Sequence, residues 1–242
     1  MNDRVSLDTS LRLDQPDKQA RAIAQPPGSP ACLHKTKPSV NLCAAMGTEA
    51  SPRGGTPDWG ALYAVAQAQS GYFTTEQAAT AGYSPQLLRK YLDNGRIARV
   101  RRGIYRLVHF PASEHEDLVV AWLWAEQAGV FSHETALALH DLSDALPAKV
   151  HMTLPASWQR RRLRVPPGLV LHYTDIGNAD RTGFSAVPIT SPRRTLRDSI
   201  EANVSPELVR QAVLQARRRG LISEKDGAEL NAALDRTSEC SQ

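Results

Sequence analysis

Apolar residues recur at helical spacing early in the chain: Ala61, Leu62, Val65, Ala66 and Ala68 form a stripe that follows Thr56-Pro57-Asp58 and ends near Ser70-Gly71. Thr74 opens a second helix, with Gln77 three residues on to complete a capping box and Phe73 placed to staple against Ala78. Gly82 keeps that helix short. Ser84-Pro85 starts a third, with serine as N-cap and proline in the first turn, where a missing N–H costs nothing, and Asn94-Gly95 ends it. On this third helix Leu87, Leu88, Tyr91 and Leu92 share one side, while Gln86, Arg89, Lys90 and Asp93 share the other. The pattern then changes to two short runs rich in β-formers, Arg96-Ile97-Ala98-Arg99-Val100 and Ile104-Tyr105-Arg106-Leu107, joined by Arg101-Arg102-Gly103. Two short helices joined by Ala81-Gly82-Tyr83 and followed by a hairpin have the layout of a winged helix-turn-helix, whose second helix enters the DNA major groove.

Beyond Phe110-Pro111-Ala112 helical and strand-like patterns alternate. Ser113 with Glu116 predicts a capped helix that directs Leu118, Val119, Trp122 and Leu123 inward, and a further helix is expected from Ser132 through Leu139. Strands are expected at Lys149 to Leu154, Leu169 to Tyr173 and Ala186 to Thr190, then helices opened by Ser191-Pro192, Ser205-Pro206 and Ser223. The expected fold class is therefore α+β: a winged helix-turn-helix over residues 57–109 and a mixed α+β domain over 112–236. Residues 1–56 are rich in proline and glycine without sustained periodicity and are expected to be a disordered tail, within which Met46-Gly47 offers an alternative start.

Composition changes this picture little. With 242 residues, 41% apolar and 22% charged, the chain reads as a folded soluble protein. The longest apolar run, Leu118 to Ala125, is too short for a membrane span and the N-terminus lacks a signal-like apolar core, so a cytoplasmic location is expected. Cys32, Cys43 and Cys240 lie in the flanks without zinc-type pairing and are read as incidental. The net charge of +4 is a weak pointer to nucleic acid, but its distribution is informative. From Arg89 to Arg106 seven basic residues face one acid, Asp93, the local concentration that phosphate neutralisation requires. Gln86, Arg89 and Lys90 are candidate base readers, and Arg96, Arg99, Arg101 and Arg102 candidates for phosphates or the minor groove of double-stranded DNA. Thr74, Thr75 and Ser84 complete the expected interface.

Catalytic patterns are missing. His133-Glu134 would need a second histidine where Leu137 stands to make a zinc-protease motif. No acid is followed two residues later by lysine as in restriction-type nucleases, and no nucleophile elbow or Walker loop is present. His140, His151 and His172 read as isolated packing or surface residues, and no cofactor or metal is expected. The Arg160–Arg164 cluster is a candidate for an acidic partner or further DNA, whereas Arg217-Arg218-Arg219 suits a helix C-terminus.

The chain resembles the AbiEi antitoxin family of type IV toxin-antitoxin systems over residues 59 to about 235. The resemblance rests on Gly71-Tyr72-Phe73-Thr74-Thr75-Glu76-Gln77-Ala78, the wing Arg101-Arg102-Gly103-Ile104-Tyr105-Arg106-Leu107, Phe131 to His140, Val150 to Pro155, and Pro188 to Asp198. It implies a non-enzymatic repressor that binds promoter repeats of its own operon and counteracts a nucleotidyltransferase-like toxin, without a stable complex with it. A stand-alone winged-helix regulator without a toxin is the alternative, and an enzyme acting on nucleic acid through a site invisible in the sequence is a third reading.

Overall fold

In the computed structural model the described residues are 56–144 and 147–239. The expected tail up to residue 55, with Met46, Cys32 and Cys43, lies outside them, as does Cys240. Helix α1 (Trp59–Ala68) is capped by the Asp58 side chain, which accepts from the Ala61 amide. Strand β1 (Tyr72–Thr74) leads into α2 (Thr75–Thr80), where Thr74 and Gln77 form the full capping box. Helix α3 (Pro85–Asp93) is capped by Ser84, and the wing strands follow as β2 (Ile97–Arg101) and β3 (Ile104–Leu107). Strand β3 lies between β1 and β2 in an antiparallel sheet. Leu62, Ala66, Phe73, Ala78, Tyr83, Leu88, Ile97 and Leu107 form the core of this module, with Leu87, Tyr91 and Leu92 packed on it as the helical pattern requires.

Helix α4 (Glu116–Trp124) and a five-stranded sheet come next. The sheet contains β4 (Val130–Phe131), β5 (Val150–Leu154), β6 (Leu169–Tyr173), β7 (Arg181–Phe184) and β8 (Val187–Thr190), in the order β6-β5-β4-β8-β7. The β5/β6 and β4/β8 pairs are parallel and the other two antiparallel. Helices α5 (His133–Leu139), α6 (Pro192–Glu201), α7 (Pro206–Arg218) and α8 (Glu224–Glu239) build a second cluster around Leu137, Leu196, Val209 and Val213. The fold is mixed α+β with a winged helix-turn-helix at the front, as the pattern predicts. No helix among the described residues is long and apolar enough to cross a membrane.

One expectation changes here. Helix α4 begins two residues later than a Ser113 cap requires, with His115 at the N-cap and no side-chain cap; only the return bond forms, Ser113 N–H donating to Glu116 Oε1 at 3.0 Å. Glu116 is drawn instead into a link between the two parts of the chain. The Tyr72 hydroxyl donates to its Oε2 at 2.7 Å and Arg106 Nη2 donates to its Oε1 at 3.0 Å. Tyr72 and Ile104, from the winged module, are buried in one core with Leu118, Val119, Leu123, Phe131 and Met152.

The Tyr72 bond holds the Glu116 carboxyl below the usual carboxylate range against the opposing effect of burial, while burial and that same carboxylate push Tyr72 up to about 12. A depressed folded pKa stabilises the protein above the unfolded value, about 4.3 for glutamate, and the stabilisation disappears as pH falls through the folded value. Glu116→Gln should therefore cost about 1–3 kcal/mol at neutral pH by urea unfolding, with the gap to wild type closing as the solution is acidified below that range; a gap independent of pH would refute the assignment. Gly71 makes a second test. Its φ of +89° and the 2.6 Å that an added Cβ would have from Phe110 Cγ predict that Gly71→Ala loses roughly 1–3 kcal/mol in the same assay.

Candidate nucleic-acid interface

The exposed face of α3 and the wing carry the basic surface. Gln86, Arg89 and Lys90 are all exposed on α3, opposite buried Leu88. Arg89 Nε lies 3.6 Å from Asp93 Oδ1, but with 79% and 65% of the two side chains exposed the pair is screened and weak, and the guanidinium remains available. In β2 only Ile97 is buried; Ala98, Arg99, Val100 and Arg101 are exposed on both faces of the strand. The register slips between Arg99 and Arg101, a bulge that increases the strand's twist. Arg102 is exposed at the tip beside Gly103, whose φ of +80° suits the tight turn. Arg96, also exposed, has its guanidinium 5.5 Å from the Tyr91 ring centroid.

Three of the ten sequence-predicted residues hold backbone. The Thr74 and Ser84 hydroxyls accept from Gln77 N–H at 3.2 Å and Leu87 N–H at 3.2 Å as helix caps. Thr75 ties the wing tip to α2: its amide donates to the Gly103 carbonyl at 2.9 Å and its hydroxyl to the same oxygen at 3.3 Å. One basic residue that the sequence groups with the surface is withdrawn from it. Arg106 is half-buried, bonded to Glu116 and, at 3.2 Å, to the Phe110 carbonyl. Six exposed cations remain between Arg89 and Arg102.

The arginine clusters at 193–197 and 217–219 are largely engaged within the fold. Arg193 pairs with Asp226 and Glu229, and Arg194, only 10% exposed, with Asp180 and Asp198. Arg219 donates to the His140 and Asp141 carbonyls, and Arg217 pairs with Glu224. In the 160–164 cluster Arg161 stacks 3.8 Å from the Trp158 ring centroid and pairs with Glu126, while Arg160, Arg162 and Arg164 are exposed.

The histidines are not isolated. His133 at the start of α5, His151 in β5 and His172 in β6 meet in the layer between the sheet and the α5/α6 helices. The His133 and His172 rings stack with centroids 3.6 Å apart, and His151 Nδ1 lies 3.1 Å from His172 Nε2. Burial pushes His133 down to about 3, reinforced by its histidine neighbours, and lowers His151 and His172 as well. Nothing local in the sequence marks this grouping: the register of β5 with β6 and the turn out of β4 create it. His140 stands apart, its Nε2 2.7 Å from the Thr190 carbonyl.

Nothing among curated proteins matches the chain. Among solved structures, the RV2827C protein from Mycobacterium tuberculosis aligns over 76% of this chain and 85% of its own, at 15% identity and a TM-score of 0.36, a likeness too weak to define a common fold. Residues 61–108 match the family described as "Transcriptional regulator, AbiEi antitoxin", and over that segment, from α1 to the end of the wing, the resemblance to AbiEi antitoxins is borne out.

Proposed function

We propose that the chain binds double-stranded DNA through α3 and the β2–β3 wing and is the autoregulating antitoxin of a type IV toxin-antitoxin pair, repressing its own operon and opposing a nucleotidyltransferase-like toxin. The observation that carries the DNA reading is strand β2: Arg99 and Arg101 stand on a strand whose residues 98–101 are all exposed, so neither guanidinium is buried in the fold. Six exposed cations within fourteen residues (Arg89 to Arg102) match the counterion-release requirement of a phosphate-binding surface. The α3 face adds Gln86, Arg89 and Lys90, types that reach adenine and guanine edges. The family match, to transcriptional regulators, supports the same use. Because the match ends at residue 108, a stand-alone regulator that grips DNA in the same way is the second reading.

In this scheme the wing positions and α3 reads. Arg101→Ala/Arg102→Ala should weaken binding to operator and scrambled DNA alike and lower the magnitude of the salt slope by roughly one unit for each phosphate no longer neutralised. Arg89→Ala should cost about 1–3 kcal/mol on operator and much less on scrambled DNA. Paired salt titrations decide: equal losses for Arg89→Ala on both DNAs would remove α3 as the reader, and an unaffected wing variant would remove the wing. Antitoxin action is separable from repression in the full chain. A triple Arg89/Arg101/Arg102→Ala variant, expressed from an unrelated promoter together with a nucleotidyltransferase-like toxin encoded beside it, if the adjacent reading frame holds one, should still protect cells; protection that disappears with DNA binding favours the stand-alone regulator.

A further inference from the structure

The histidine cluster lies outside the DNA surface and has a construction of its own. Its members come from three separate elements, and one candidate ligand nitrogen from each lies within 4.8 Å of the others. His133 reaches this position at a cost: it is buried and its φ is +53°, the left-handed region that a residue with a bulky ring adopts only where the surroundings enforce it. Two of the rings are also oriented from behind. His133 Nδ1 is 2.8 Å from Ser132 Oγ, which is 2.7 Å from Thr153 Oγ1, so Nε2 is left to face the cluster. His151 Nε2 sits 3.6 Å from a Glu134 carboxylate oxygen, which leaves its Nδ1 turned toward His172 Nε2. A ring nitrogen held by a hydroxyl or carboxylate while the other points to a common centre is how metal-ligating histidines are fixed.

We propose that His133, His151 and His172 bind one divalent transition-metal ion of the imidazole-preferring class, zinc, cobalt or nickel. Metal–nitrogen bonds of about 2.0–2.1 Å place tetrahedral ligands a little over 3 Å apart. The His151–His172 nitrogen pair already has that separation, at 3.1 Å. His133 is stacked on His172 with the ring planes 16° apart and joins by turning its ring out of the stack about its soft terminal torsion, which gives up the Ser132 contact. Three protein ligands leave a fourth position for water or a small anion. His133 and His172 also line a cavity of about 370 Å³ together with Gln159, Arg194 and Asp198. Asp198 in that lining is only 5% exposed, and its Oδ2 has no hydrogen-bond partner among the described residues, a buried acceptor of the kind a metal-bound water would use. Hard, oxygen-preferring cations such as magnesium do not fit an all-imidazole set.

The test uses the full chain stripped with chelator and titrated with cobalt(II), then zinc. One equivalent of cobalt should bind with visible ligand-field bands and no near-ultraviolet thiolate charge-transfer band, and zinc should displace it and raise the melting temperature. His151→Gln and His172→Gln should each weaken binding by tenfold or more, whereas His140→Gln, in the same layer but outside the cluster, should leave it unchanged. Unaltered binding by a His151→Gln/His172→Gln double variant, or no binding by wild type at 100 µM zinc (about −5.5 kcal/mol as a Kd), would overturn the site. Should the variants fail to fold, X-ray absorption of the zinc-loaded wild type decides alone: an imidazole-only nitrogen/oxygen shell supports the proposal, and a sulfur shell, from the cysteines of the flanks, overturns it.

Discussion

The alternation of side chains across β5 and β6 is the constraint on which the rest of the C-terminal part depends. Successive strand residues point to opposite faces, so Met152, Leu154, Leu171 and Tyr173 join the apolar core with α4, while His151, Thr153 and His172 lie on the other side. That second face is packed against α5 and α6 but is polar, and buried polar groups must find partners there or destabilise the fold. They do so in short relays: Ser132 with Thr153, Thr190 with Thr195, and the Thr135 hydroxyl accepting from the His151 amide. A polar layer therefore separates the sheet core from the α5–α8 helical core, and the three histidines occupy it.

The winged module is attached to this body through more than a chain connection. Tyr72 and Ile104 are buried in the sheet core, and Glu116 gathers the Tyr72 hydroxyl, the Arg106 guanidinium and the Ser113 amide on one carboxylate. Such charge-assisted bonds at a partly buried position are stronger than neutral ones. The arrangement has a consequence for the surface. Arg106 serves the joint and leaves the wing's charge to Arg99, Arg101 and Arg102, so the outward-facing cations are concentrated on β2 and the tip.

Local chemistry made much of the fold legible in advance. The Thr74/Gln77 capping box, the Ser84-Pro85 start, the glycines at 82 and 103 and the four-residue apolar face of α3 act within a turn or two of themselves, and the structure follows them. The same holds for the long strands β5 and β6 and for the Ser-Pro starts of α6 and α7. Strands β1, β4 and β7 had no such signature. They are two to four residues long and exist because a neighbouring strand supplies hydrogen-bond partners.

The sequence by itself thus determined the caps, the turns, the helical faces and which cations are close along the chain, because each depends on interactions spanning only a few residues. Tertiary structure decided which of those cations stay exposed: Arg106 meets Glu116, and Arg194, besides Asp198 of its own helix, meets Asp180, carboxylates brought in by other elements, whereas Arg99 and Arg101 stay exposed. It also decided that histidines separated by 18 and 21 positions come within 4.8 Å of one another through one ring nitrogen each, since strand register and the strained turn at His133, rather than any local pattern, set their distances.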